Sequence, residues 1–276
     1  MRILWIFAHP ERRSLNGSLL DDGLRALSAQ GHESRVSDLY RMGWKPVLDA
    51  ADLGGTPEDD GRLLVGAAQE RAYRADALAD DIRAEQEKIA WADALVFQFP
   101  LWWHGPPAIL KGWFDRVLVQ GLAFGLRSPD GRALRYGDGG LAGKRAMVVT
   151  TVGARASGFG PRGVHGQVDE VLFPLLHGTF WYTGMPSVPP FVVYGADRLT
   201  ATGYQRYADE LRERLRDLPT AATLPYRHEA GGDYDDALVL RPAVAPGRTG
   251  LGVHRRPDGA RERERAAAVS GSRGVR

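Results

Sequence analysis

The chain has 276 residues, 43% hydrophobic and 25% charged, enough to bury a core without covalent staples. It has no cysteine, which excludes disulfides and thiolate chemistry. Its formal charge is +2, but residues 255–276 hold seven arginines against three acids; that local +4 leaves the body at −2 and gives no sign of a nucleic-acid-binding core.

Residues 2–8 (RILWIFA) are a short apolar run ending at a His-Pro turn, which predicts a buried strand and then a loop. The run is too short to span a bilayer and no small-residue cleavage site follows, so a cytoplasmic chain without membrane insertion is expected. Ser14 and Asn16 suit a helix cap, and Leu20, Leu24 and Leu27 then recur at helical spacing up to Gly31-His32. Residues 33–38 fit a second strand. Residues 41–74, rich in Gly, Asp and Pro, read as a long excursion with a small helix near 62–72. Leu78, Ile82 and Ile89 mark a helix over about 75–92, and residues 94–99 (ALVFQF) a third strand.

Pro106-Pro107 can open a helix, which runs to about 118. It is apolar on two sides (Ile109, Leu110, Trp113, Phe114, Val117), so the sheet should bury one side and a subunit partner the other. Residues 145–151 form a fourth strand. Val168, Val171, Leu172, Leu175 and Leu176 mark a helix. Residues 188–194 contain a fifth strand, and Tyr204, Tyr207, Leu211 and Leu215 mark a closing helix. Strands alternating with helices predict an α/β fold: a doubly wound parallel sheet with helices on both faces. Ligands of such sheets bind beyond the carboxyl ends of the strands, so loops 8–16, 100–106 and 150–166 should converge on a site.

The first loop has no G-x-G-x-x-G, and the chain has no Walker loop. His9, Arg12, Ser14 and Asn16 run into a helix N-terminus that suits a phosphate, or they merely cap the helix. In the second loop, Trp102, Trp103 and His104 offer a surface for a flat heterocycle, unless the rings are core. The third loop is rich in glycine, which permits close backbone approach, and holds His165, whose role is structural or catalytic. No metal-ligand pattern and no G-x-S-x-G is present.

The segments AHPERRSLN, AEQEKIAWADALVFQFPLWW, GPPAILKGWFDRV and TTVG…GVHG…LFPLLHGTFWYTGM resemble, in order and spacing, the NAD(P)H:quinone oxidoreductase (DT-diaphorase) family. The resemblance covers residues 1–218, and a later stretch through 254 is similar to the C-terminal extension of bacterial members. It implies a flavodoxin-like five-stranded sheet of order 2-1-3-4-5 and a flavin-binding domain over 1–218. An extension over 219–254 would pack on that domain or on the dimer partner, and an arginine-rich tail over 255–276 would be disordered. It further implies a homodimer with FAD rather than FMN, NAD(P)H as co-substrate, and ping-pong reduction of a quinone or similar planar acceptor. Alternatives are reduction of an activated C=C or quinonoid intermediate, a regulatory subunit of a potassium-efflux system, and a plain electron carrier.

Carried over by residue, the resemblance places His9, Arg12, Ser14, Leu15 and Asn16 around the flavin phosphates. It places Pro100, Leu101, Trp102, Trp103 and His104 along the isoalloxazine, and Thr150, Thr151, Val152 and Gly153 at its pyrimidine side. Trp103, His104 and Gly153, with Phe124, Leu126 and Tyr182 of a second subunit, would form the substrate pocket. His165 would be catalytic, beside Phe159 where the family carries a tyrosine.

Overall fold

The computed structural model describes residues 1–55 and 62–257. They divide into two compact units, Met1–Thr223 and a second beginning at Leu224. The tail expected to be disordered lies, from residue 258 on, outside the described residues.

The central apolar runs become strands buried on both faces, while the edge strand Glu33–Asp38 is largely exposed. Arg2–Phe7 (β1), Glu33–Asp38 (β2), Ala94–Pro100 (β3), Arg145–Val152 (β4) and Phe191–Tyr194 (β5) form one parallel sheet of order β2-β1-β3-β4-β5. This is the flavodoxin-like arrangement. β5 is shorter than the apolar run because Pro189-Pro190 cannot donate to the ladder.

Side chains alternate between two helical layers. On one face Ile3, Trp5, Phe7, Val96, Met147, Val149 and Val193 pack with Leu19, Leu20 and Leu27 of Leu15–Ala29 (α1). Leu211 and Leu215 of the closing helix, Ala201–Asp217, complete that layer. The Trp5 indole lies against Gly23, where a Cβ would come within 2.4 Å of the ring. A glycine in mid-helix costs about 1 kcal/mol, offset here by the buried indole. On the other face Phe97 stacks on Phe180 (centroids 4.6 Å) and meets Trp113 and Phe114 of the Pro107-capped helix Ala108–Val117.

The second side of that helix is covered in part by the same chain. A Cβ on Gly112 would strike the Pro46 backbone, so the excursion packs directly on it. Arg116, 1% exposed, forks to Asp52 (2.7 Å) and Asp81 (2.7 Å) and lies 4.5 Å from the Trp44 ring centroid. The excursion's helix is Val65–Arg74, and the next begins only at Asp80.

The helix expected from Val168 is broken: Val168–Val171 and Phe173–Leu175 are followed by a π-helical turn, Leu176–Trp181. Pro174 has no N–H to continue the ladder, and the Tyr182 N–H reaches back five residues to the His177 carbonyl (3.0 Å).

Within the second unit, Arg227 bonds Asp233 (2.7 Å) and the Val253 carbonyl (2.9 Å), and Tyr234 stacks on His254. No helix among the described residues is long and apolar enough to cross a membrane.

Candidate functional site

Sheet order decides where a site forms. The chain leaves β1 for one sheet edge and then for the other, so the ends of β1 and β3 diverge and leave a crevice. Beyond β1, β3 and β4 lies a cavity of about 380 Å³ lined by His9, Ser14, Leu15, Asn16, Pro100, Leu101, Trp102, Thr151, Val152, Gly153, Ala196 and Asp197. All three loops contribute.

The α1 end of this cavity is fixed by polar bonds to the sheet. Ser14 caps the helix, its Oγ accepting from the Gly17 N–H (3.2 Å) while donating to the Glu11 carbonyl (2.6 Å). The Trp5 indole donates to Gln98 Oε1 (2.9 Å), and Gln98 Nε2 donates to the Asn16 carbonyl (2.7 Å). Asn16 Nδ2 then donates to Thr151 Oγ1 (2.9 Å). This buried chain ties helix, β3 and β4 together at the rim. Its last acceptor, Asn16 Oδ1, is buried and has no protein partner. An orphaned acceptor is costly unless a ligand donor or water meets it.

The second loop is a tight hairpin. Trp102 and Gly105 exchange both backbone hydrogen bonds at 3.0 Å, and the two residues between them, Trp103 and His104, have φ of 51° and 60°. Left-handed backbone at both central positions is the type I′ turn, which ordinarily takes Asn-Gly. A bulky residue there costs about 1–2 kcal/mol. The turn holds the Trp103 ring fully exposed, while Leu101 stays buried and Trp102 is half-exposed with His9 at 6.5 Å between ring centroids.

The third loop makes a ring cluster beside the cavity. Phe159, buried, stacks on His165 (4.7 Å, 29°) and touches Tyr194 at the end of β5 (5.7 Å). His104 meets His165 edge-on (5.5 Å, 89°) and Phe159 at 6.4 Å. Burial, with Asp169 and Tyr207 adding, pushes the Tyr194 phenol up, so it stays protonated at neutral pH.

Some candidates lie elsewhere. Thr150 points to the opposite face of β4 from Thr151 and donates to the Phe99 carbonyl (2.8 Å). Arg12 pairs with Asp21 (2.6 Å) and stands over the Phe7 ring. Phe124 lines a different groove, with Pro46, Val47, Leu48, Val65, Phe114 and Leu118, and is 6.5 Å from Tyr182. Leu126, half-buried, lies beside Gly140.

Ala196 and Asp197 were not foreseen. They follow β5 in an ordinary-looking GADR turn; the only available signal was that β5 ends beside β4. The Asp197 carboxylate stands against Gly153, where a Cβ would lie 2.2 Å from its Oδ2.

Residues 1–215 match the family with a flavodoxin-like fold. The chain belongs to that flavodoxin-like family. A ribosyldihydronicotinamide dehydrogenase-like protein, traD of Penicillium crustosum, is 40% identical over 262 residues, 94% of this chain and 97% of traD. NAD(P)H dehydrogenase [quinone] 1 of Rattus norvegicus is 37% identical over 193 residues, 70% of this chain and 68% of its own. A Klebsiella pneumoniae protein assigned as a quinone reductase is 44% identical, with a TM-score of 0.88, over 93% of this chain and all of that one.

The residues of this flavodoxin-like chain fit a flavin. The N-terminus of α1, capped by Ser14, suits a phosphate. The unpartnered Asn16 Oδ1 and the Asp197 carboxylate suit hydroxyl or N–H donors, and the displayed Trp103 ring suits a flat heterocycle. No group of His, Asp and Glu among the described residues could hold a metal ion.

Proposed function

We propose that this chain is an NAD(P)H:quinone oxidoreductase that holds FAD in the cavity beyond β1, β3 and β4. The single observation that carries the reading is an orphaned buried acceptor, Asn16 Oδ1, in that cavity, together with a fully exposed ring, Trp103, in the turn that follows the cavity-lining Trp102. The names of the relatives supply donor and acceptor class; FAD is preferred to FMN on the resemblance described above.

When bound, the flavin supplies hydride acceptance from NAD(P)H and its return to a quinone. The chain's own residues do the rest. The backbone N–H groups at the start of α1 hold phosphate. Trp103 would back the ring, and the Val152 and Gly153 amides would serve its edge. His165 would stabilise negative charge at that edge as a hydrogen-bond donor; one preorganised donor of this kind is worth about 3 kcal/mol. Donor and acceptor would use the same site in turn, which would give ping-pong kinetics.

A second copy of the chain would cover the groove of Phe124, Val47 and Phe114, where Val47 and Val65 are exposed. It would bring its Phe124, Leu126 and Tyr182 over the site. The test is a purified protein examined by absorbance, heat release of the cofactor and anaerobic NADPH titration with a quinone. Yellow protein that releases FAD, bleaches with NADPH and recovers with quinone supports the reading. Colourless protein that stays empty with added FAD and FMN overturns it.

A further inference from the structure

We propose that His104 is a second catalytic imidazole, which together with His165 supplies the proton that completes quinone reduction; this rests on the quinone reductase reading above.

Placement comes first. His104 occupies the left-handed second position of the 102–105 hairpin, a backbone state that ordinarily selects Asn or Gly. Left-handed backbone is uncommon for any residue but glycine, though histidine adopts it more readily than most, and backbone of that kind clusters where side chains are displayed for work. The ring is exposed, next to the fully exposed Trp103, so an acceptor lying over Trp103 meets it.

The second observation is the ring geometry. His104 meets His165 edge-on at 5.5 Å and 89°. The neighbour that stacks on His165, Phe159, is a hydrocarbon ring with nothing to donate. Tyr194 contacts the cluster through Phe159. Among the described residues, the proton-carrying rings that meet each other in this cluster are two imidazoles. The edge-on contact sets two rings that can each donate and accept a proton side by side, next to the ring on which the acceptor would lie.

The chemistry needs such a proton. A quinone that takes the hydride originating from NAD(P)H gains two electrons and one proton and becomes a hydroquinone monoanion, while NAD(P)⁺ is released. One further proton must reach the remaining oxygen. The imidazolium N–H bond of His104 breaks as the O–H bond forms; the neutral ring regains a proton from His165 or from solvent. A positioned general acid contributes about 10²–10⁴-fold.

The test separates proton delivery from turnover. 4-Nitrophenolate stands in for the oxygen awaiting its proton, and neutral 4-nitroanisole is its control. Both are titrated at equilibrium, by absorbance, into unreduced flavin-loaded protein. His104→Asn keeps the left-handed turn, and His104→Phe keeps a ring of similar size; flavin content reports folding of each. Both variants are expected to weaken nitrophenolate at least about tenfold with nitroanisole unchanged, and to slow quinone reduction in single turnover by about 100-fold. Nitrophenolate affinity within twofold of wild type in both variants, in a protein that still reduces quinones, overturns this inference alone. Wild-type protein that reduces no quinone overturns the function reading and this inference with it.

Discussion

The side chain of Asn16 donates to the Thr151 hydroxyl at 2.9 Å, across 135 positions of sequence, and this bond sets the start of α1 against the end of β4. The same side chain keeps one buried oxygen without a partner. Asn16→Leu removes both the bond and the orphan, so its effect on the cofactor-free protein should stay near 1 kcal/mol. FAD affinity, read by fluorescence titration of that protein, should fall more than about tenfold. Equal affinity in variant and wild type would remove Asn16 from the binding site.

Trp103 offers the complementary case. Its ring touches solvent on all sides, so truncation should leave stability within about 0.5 kcal/mol. Trp103→Asn keeps the turn and discards the ring. Loss of ring stacking, about 0.5–1.5 kcal/mol beyond the buried area, predicts roughly tenfold weaker flavin binding. Thermal unfolding and flavin release, measured together, distinguish this from a folding defect.

His165→Ala should retain flavin but lose about 100-fold in the rate of flavin reduction by NADPH, followed by stopped flow. An unchanged rate would refute a catalytic part for that imidazole. Phe159→Tyr adds a hydroxyl to the ring stacked on it and should raise the rate; no gain means the missing oxygen does not limit the reaction.

Arg116 tests what fastens the excursion. Arg116→Met removes the fork on Asp52, which is 3% exposed and keeps only Lys45 and the Asp49 amide, and should destabilise the protein by about 1.5–3 kcal/mol in urea unfolding. Arg116→Met combined with Asp52→Leu should recover much of that loss. Burial pushes the Asp52 carboxyl up, but hydrogen bonds from Arg116, the Asp49 amide and Lys45 outweigh it and hold it below the usual carboxylate range. A depressed carboxyl contributes stability that is complete above its unfolded value of about 3.9 and is lost as pH falls through its folded value. The wild type should therefore lose more stability than the double variant between pH 5 and the acid limit.

The sheet was legible because its central strands are buried on both faces, so RILWIFA and ALVFQF read as unbroken apolar runs. Knowing where parallel strands point their carboxyl ends was enough to draw the three loops together. Other features left no local mark. A type I′ turn normally announces itself by Asn-Gly, and here Trp103-His104 hides it. Asp197 enters the cavity only through the pairing of β4 with β5, which no single segment carries. The split between Thr150 and Thr151 follows from strand alternation, yet it needed the register to say which of the two faces Asn16.

The wide turn at Leu176–Trp181 has a geometrical effect downstream. Each residue of a helix advances the chain by about 100° around its axis, so a turn that absorbs one surplus residue swings everything after it by that angle. Tyr182, whose N–H spans that turn to His177 and whose ring abuts Tyr136 and Phe124, has its bearing set by this one-residue surplus. Deleting a single residue there would rewind the segment and turn the phenol to another quarter of the compass, away from Tyr136 and Phe124.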